Sequence, residues 1–282
     1  MTLSASSSVQ RARRDLADRL GEIRREAGIT GRELAQLCGW HPSKTSRIEN
    51  ARTVPSPADL LAWCRVSGAD DQASDLIASL RAVEGMFVEW RRIERDGLKR
   101  VQESVLPRYE RTRRFRAYSS WLVTGLLQTR AYTEAVLRAV QRRRVVVDDV
   151  DAAVEVRMER QRILREGDRR FAVLLEESVL RSGPGSRDVQ REQLAHLLTV
   201  GALPHVSLGI VPMGPGRSRM PVEGFWIYDT VQVNVELVSG YLTITQPSEI
   251  ALYAQAFGEL ADQALHGEQA RALIGAAMEA LA

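Results

Sequence analysis

Little in this chain is suited to covalent cross-linking, metal capture or a bilayer. Only two of its 282 residues are cysteine, Cys38 and Cys64, each inside a helix-like pattern. Two such thiols make no disulfide framework and lack ligand spacing for a metal, and they fit a cytoplasmic compartment. The four histidines, His41, His196, His205 and His266, are far apart, so no local motif converges on a metal ion. No cofactor is expected either. No apolar run reaches the length that crosses a membrane, and MTLSASSSVQRARRD has no apolar segment after its charges. Neither a membrane partner nor a secretory signal is expected. Lysine is nearly missing: of 39 basic residues, only Lys44 and Lys99 are lysine. That bias reads as GC-rich coding, so the abundance of arginine is not counted as a nucleic-acid signal.

The net charge of +3 is unevenly spread. Residues 1–116 hold 22 basic and 16 acidic groups, and the remainder is slightly acidic. The length suffices for about two domains, each able to bury its own core. The expected architecture is α+β: a Ser-rich tail over 1–8, an all-α five-helix unit over 9–82, a helical linker over 83–114, and an α+β domain over 115–282 with a small antiparallel sheet and C-terminal helices.

Leu16, Leu20, Ile23 and Ala27 recur at helical spacing before Gly28. Thr30 and Glu33 have capping-box spacing and open a second helix with Leu34, Ala35, Leu37 and Cys38 inward, ended by Gly39. Pro42 suits the first turn of a third helix, where its missing N–H costs nothing. Ser56-Pro57-x-Asp59 starts a fourth, with Leu60, Leu61 and Cys64 inward, and a fifth opens at Asp70-Asp71. Residues 85–106 read as one amphipathic helical stretch ended by Pro107. Beyond it, helices are expected over 150–166, 188–200, 247–265 and 268–281. The β-rich runs FAVLL, VSLGIVP, FWIYD, VNVELV and YLTIT lie between, the last three spaced as an antiparallel meander.

Within GRELAQLCGWHPSKTSRIENAR (31–52), Ala35, Gly39, Thr45 and Ile48 stand at helix-turn-helix spacing. A small residue lets two helices approach, a glycine makes the sharp turn, and the later pair holds the second helix down. The face left over carries Pro42, Ser43, Lys44, Ser46 and Arg47, the side chains a helix in the major groove offers to DNA. Ser43, Lys44 and Arg47 are the expected base readers; Thr30, Arg32, Ser46 and Arg52 are the expected phosphate contacts. Gly31 occupies a position where a polar residue commonly clamps the backbone, and Arg32 is the expected substitute. His41 reads as a turn or cap residue.

The second domain offers no catalytic motif, and the chain is not expected to be an enzyme. GPGRSRMPVEG (214–224) lacks the strand-turn-helix setting of a phosphate loop and reads as a flexible connection. Glu176-Glu177 and Glu223/Asp229 suit helix starts and hairpins. ERTRRFR and QRRR read as basic faces that are solvated or paired with nearby acids, contact with DNA flanks being the alternative. Trp121, Tyr132, Phe225, Trp226 and Tyr241 are either core residues or the lining of an aromatic ligand pocket.

Five helices with SRIENAR closing the third resemble the Xre/Cro type of DNA-binding domain over residues 9–80. Downstream, EWRRIERDGLKRVQESVLPRYERTRRFRAYSSWLVTGLLQTRAYTEAVL, RMERQRIL, FAVLLEESVLR and VEGFWIYDTVQVNVELVSGYLTITQPSEIALY resemble the C-terminal regulatory domain of actinobacterial Xre-type regulators, the antitoxin-like (Scr-type) set, over roughly 85–275. The resemblance implies a DNA-binding transcriptional regulator controlled by a small co-encoded protein or a small-molecule effector. Binding of double-stranded operator DNA as a homodimer is expected because one recognition helix makes too few contacts for useful affinity. The alternative is an antitoxin-like interaction protein that captures the small co-encoded protein and uses DNA binding for autoregulation.

Overall fold

A computed structural model describes residues 6–89, 94–144 and 147–281. The chain divides into two compact units, Met1–Val88 and Glu89–Ala282. The division falls beyond the boundary expected at 82/83, because the fifth helix runs on to Met86. Of the expected tail, residues 1–5 lie outside the described residues, whereas Ser6–Ser8 already belong to the first helix.

The first unit contains α1 (Ser6–Glu26), α2 (Gly31–Leu37), α3 (Pro42–Glu49), α4 (Pro57–Val66) and α5 (Ala73–Met86). Its core gathers Leu16, Leu20, Ile23, Leu34, Ile48, Leu60, Trp63, Cys64, Leu76 and Leu80. Three expected core positions are corrected. Ala27 lies past the end of α1 and is exposed, and Leu37 and Leu61 point outward. On α4 the inward place is taken by Trp63, whose indole N–H donates to the Leu20 carbonyl at 3.1 Å. The larger ring fills the centre and satisfies its one donor there.

The expected single helix over 85–106 is broken. Phe87–Glu89 is extended, Glu94–Asp96 is one 3-10 turn, and α6 (Leu98–Ser104) begins after Gly97; residues 90–93 lie outside the described residues. Gly97 adopts φ +97°, which favours glycine. The Asp149 carboxylate accepts from the Leu98 and Lys99 amides at 2.9 Å each, capping α6 from a distant part of the chain. Pro107 does not end this segment. It sits in the first turn of α7 (Leu106–Arg111), where its missing donor is harmless.

Next come β1 (Arg114–Ser119), α8 (Arg130–Arg144), α9 (Val150–Arg160), β2 (Arg170–Glu176), α10 (Glu177–Arg181), α11 (Arg187–Val200) and β3 (Val206–Val211). They are followed by β4 (Phe225–Tyr228), β5 (Gln232–Glu236), β6 (Gly240–Ile244), α12 (Pro247–Ala261) and α13 (Gly267–Glu279). Six strands of this unit form a mixed sheet in the order β6-β5-β4-β1-β2-β3. The meander β4-β5-β6 is antiparallel as expected, with Trp226 opposite Asn234 and Val235 opposite Leu242. The other half is parallel, Phe115 beside Phe171 and Phe171 beside Val206. Helical crossovers between these strands make parallel pairing the natural outcome. One face carries Phe115, Val173, Leu175 and Ile210 against α11 and α13. The other presents Tyr118 and Phe225, and Phe225 meets Tyr253 of α12 with ring centroids 5.0 Å apart.

The loop expected to be flexible is tied down. Arg217 makes a two-pronged ion pair with buried Glu176 at 2.7 Å, and Tyr118 donates to the same carboxylate at 2.7 Å. Arg219 pairs with Glu259, and Tyr253 donates to Glu223 at 2.8 Å. Asp229 accepts from the Arg113 and Arg114 amides and so takes the expected hairpin role.

Candidate nucleic-acid interface

The local chemistry of residues 30–59 builds a rigid helix pair. Thr30 accepts from the Glu33 amide at 3.2 Å while the Glu33 carboxylate accepts from the Thr30 amide at 2.7 Å, the reciprocal box that starts α2. These bonds hold the Glu33 carboxyl below its ordinary pKa. Gly39 turns the chain at φ +68°, and the Trp40 amide closes back on the Ala35 carbonyl at 2.7 Å. His41 then caps α3, its Nδ1 accepting from the Ser43 amide at 3.2 Å and lying 2.9 Å from the Ser43 hydroxyl. Pro42 occupies the first turn. Thr45 and Ile48, each 1% exposed, hold α3 down. The Thr45 methyl faces Gly31 of α2, where an added Cβ would stand 3.6 Å from it, an ordinary packing distance. The packing of α2 on α3 therefore does not itself demand glycine at 31.

Behind α3, Glu49 accepts from Arg24 Nε at 2.6 Å, and Arg24 also donates to the Ile29 carbonyl at 2.8 Å. This clamp joins α1, the α1–α2 turn and α3. Sequence spacing does not disclose it.

The outward face of α3 carries Ser43, Ser46 and Arg47, all exposed. Arg32 on α2 and Arg52 after α3 are exposed as well, and Arg52 is placed by its amide bond to the Arg47 carbonyl at 2.8 Å. Ala51, at φ +54°, makes the bend that returns Arg52 toward α3. Asn50 donates to the Ser46 carbonyl at 2.7 Å, leaving the Ser46 hydroxyl on the open face.

Two expected contact residues are otherwise engaged. Lys44 Nζ is 2.6 Å from Asp59 Oδ1 and 4.3 Å from the centroid of the Trp40 ring, so it braces α3 against α4. Burial raises the cost of charge on Asp59, but the bonds from Lys44 and Ser56 outweigh it and hold the carboxyl below its usual range. Lys44, expected to read bases, here braces α3, and its residue type alone does not reveal the partners Trp40 and Asp59. The Thr30 hydroxyl is likewise occupied as the cap of α2.

The five aromatic residues considered for a ligand pocket do not form one. Tyr132 is sealed in the core, where burial raises its phenol to about 12, and it accepts from the Val123 amide. Phe225 faces α12, Trp226 lies on the opposite sheet face stacked with Tyr228, and Trp121 is half exposed beside Gly224. Alternation along β4 sends Phe225 and Trp226 to opposite faces. Only Trp226 and Tyr241 share a face, near Arg108. Among the described residues no group of three or more His, Cys, Asp or Glu is placed to hold a metal ion. Nor is any described helix long and apolar enough to cross a membrane.

A helix-turn-helix domain model matches residues 15–76, from within α1 to the first turn of α5. A second model, the domain of unknown function DUF5753, matches residues 105–276. A comparison with curated proteins gives no significant match. Among solved structures, TrmBL2, an archaeal chromatin protein described as showing a novel mode of DNA binding, aligns over 85% of this chain and 88% of its own, at 13% identity and a TM-score of 0.33. Likeness that low carries no argument about this chain. The helix-turn-helix match and the geometry of α2 and α3 agree on a DNA-binding head. The DUF5753 match spans more than half of the sequence, and the chain belongs to that family, with a helix-turn-helix DNA-binding domain at its N-terminal end.

Proposed function

We propose that this protein is a non-enzymatic, sequence-specific transcriptional regulator of the Xre type, acting in the cytoplasm as a homodimer on operator DNA. Its second unit is the regulatory module, answering to a small molecule or a small partner protein. One observation carries the DNA reading: Ser43, Ser46 and Arg47 stand exposed on the one face of α3 that Thr45 and Ile48 do not bury, with Arg32 and Arg52 also exposed. Arg47 is the base reader in this arrangement, since a guanidinium donates in parallel to guanine O6 and N7. Ser43 and Ser46 supply shorter contacts, and Arg32 and Arg52 address phosphates.

A single α3 offers few contacts, so two copies related by a two-fold axis are required for useful affinity. Their half-sites would lie about one helical turn, ~34 Å, apart. Selection of bound fragments from random duplex DNA by the purified protein tests this directly: a palindromic site is expected. Arg47→Ala is expected to weaken binding to that site by about 1–3 kcal/mol, read by titration, with an unchanged melting midpoint. Undiminished binding by Arg47→Ala would remove α3 from the groove.

A further inference from the structure

The second unit buries arginines without giving them carboxylates. Arg160, at the end of α9, is 7% exposed, and its Nε has no hydrogen-bond partner among the described residues. Its Nη1 donates only to the neutral Gln102 side-chain oxygen, at 3.3 Å. Arg157, one turn earlier, donates to that same oxygen at 3.0 Å and to the neutral Gln128 oxygen at 3.0 Å. Arg108 of α7 stacks over Tyr228 at 4.7 Å, and its Nε is also unpartnered. Elsewhere in this unit arginines of comparable burial meet acids: Arg217 meets Glu176 and Arg144 meets Glu94.

We infer that Arg157 and Arg160, converging on the Gln102 side-chain oxygen, with Arg108 on the same side of the sheet, form a binding site for a small carboxylate- or phosphate-bearing anion. A desolvated guanidinium is costly unless an acceptor of opposite charge meets it, and its fork suits two oxygens at once. The faces of Tyr109, 4.9 Å from Arg160, and Tyr228 attract a cation but do not neutralise it. Glu236 on β5 feels Arg157 and Arg160 electrostatically, yet neither lies within ion-pair distance of it. Burial, and then Arg160 beside it, push the Arg157 pKa down to about 10, which still leaves it charged at neutral pH. The site is partly open: Arg157, Arg108, Trp226 and Tyr241 all retain some exposure. Gly125 makes room as well, since a Cβ there would stand 3.2 Å from Arg160 Nη2.

This inference deepens the regulatory reading of the second unit and rests on it only for its biological role. The test is the melting midpoint of the full chain with millimolar inorganic phosphate or citrate, ionic strength being held constant with sodium chloride. Bound anion should raise the midpoint by several degrees; a response to one anion and not the other assigns the site to phosphates or to carboxylates. Gln102→Glu should raise the midpoint without added anion, because it supplies the missing carboxylate from within, and should abolish the response. Arg157→Gln should abolish the response without that gain. A flat response in the natural sequence, or an unreduced response in Gln102→Glu, overturns the site; a carboxylate supplied by a partner protein would give the first of these results. If the anion binds as described but operator affinity is the same with and without it, the site stands and the small-molecule sensing role falls.

Discussion

Lys44 shows how a neighbour decides the meaning of a side chain. Its place in the recognition segment suits a base contact, but its ammonium is held between the Asp59 carboxylate and the Trp40 ring. Lys44→Met keeps the aliphatic stem and deletes the charge. It should lower stability by about 1 kcal/mol, the scale of a partly exposed ion pair, read as a drop in the thermal midpoint. Its loss of operator affinity should be smaller than that of Arg47→Ala; an equal loss would return Lys44 to the groove. Arg47 is the reverse case, since its spacing and its exposure give the same reading. Glu176 was legible only as an acid near a helix start. Its pairing with Arg217, 41 positions away, depends on the loop returning across the sheet.

Elements were read well where their signals are local. The caps at Thr30 and Ser56, Pro42 and Pro57 in first turns, and Gly39 at the turn all follow from neighbours within four residues, and α2, α3 and α4 appear where those signals place them. The capping carboxylates predict an acid response. Glu33 and Asp59 both have folded pKa values below their unfolded ones, so their stabilisation is present above the ordinary carboxylate range, ~4, and is lost as pH falls through the depressed native values. Calorimetry across that range should show the N-terminal unit losing stability on acidification, less steeply in Asp59→Asn.

The strand β1 was missed. Arg114 and Arg116 alternate with Phe115 and Ala117 and made it resemble a basic surface run, although it is a central strand of the sheet. Arg116 is accommodated by donating to the Asp229 carbonyl at 3.0 Å. Close packing at β3 was equally hidden. A methyl at Gly209 would stand 2.6 Å from His266 Cε1 and 2.7 Å from Leu174 Cδ2. Gly209→Ala should therefore destabilise the second unit by about 1–3 kcal/mol, measured by denaturant titration.

For the whole molecule, the relevant property is charge. The basic excess lies in the first 116 residues although the net charge is only +3. Each phosphate neutralised by Arg32 or Arg52 releases condensed counterion, so operator affinity should fall linearly on a log–log plot of salt, with a slope of about −0.9 per contact. Arg52→Ala should flatten that slope by about one unit and weaken all DNA sequences alike. A slope near zero for the natural sequence would remove the phosphate contacts.

The sequence alone determined the helix-turn-helix: its caps, its turn and the inward pair Thr45 and Ile48 are relations between residues a few positions apart, where backbone geometry leaves little choice. It also determined the meander, through alternation and close spacing. Only the tertiary structure decided the parallel half of the sheet, the brace on Lys44, the anchored 214–224 loop and the arginines gathered around Gln102. Those join residues 15 to 58 positions apart, and no local periodicity fixes which distant side chain arrives to complete a charge.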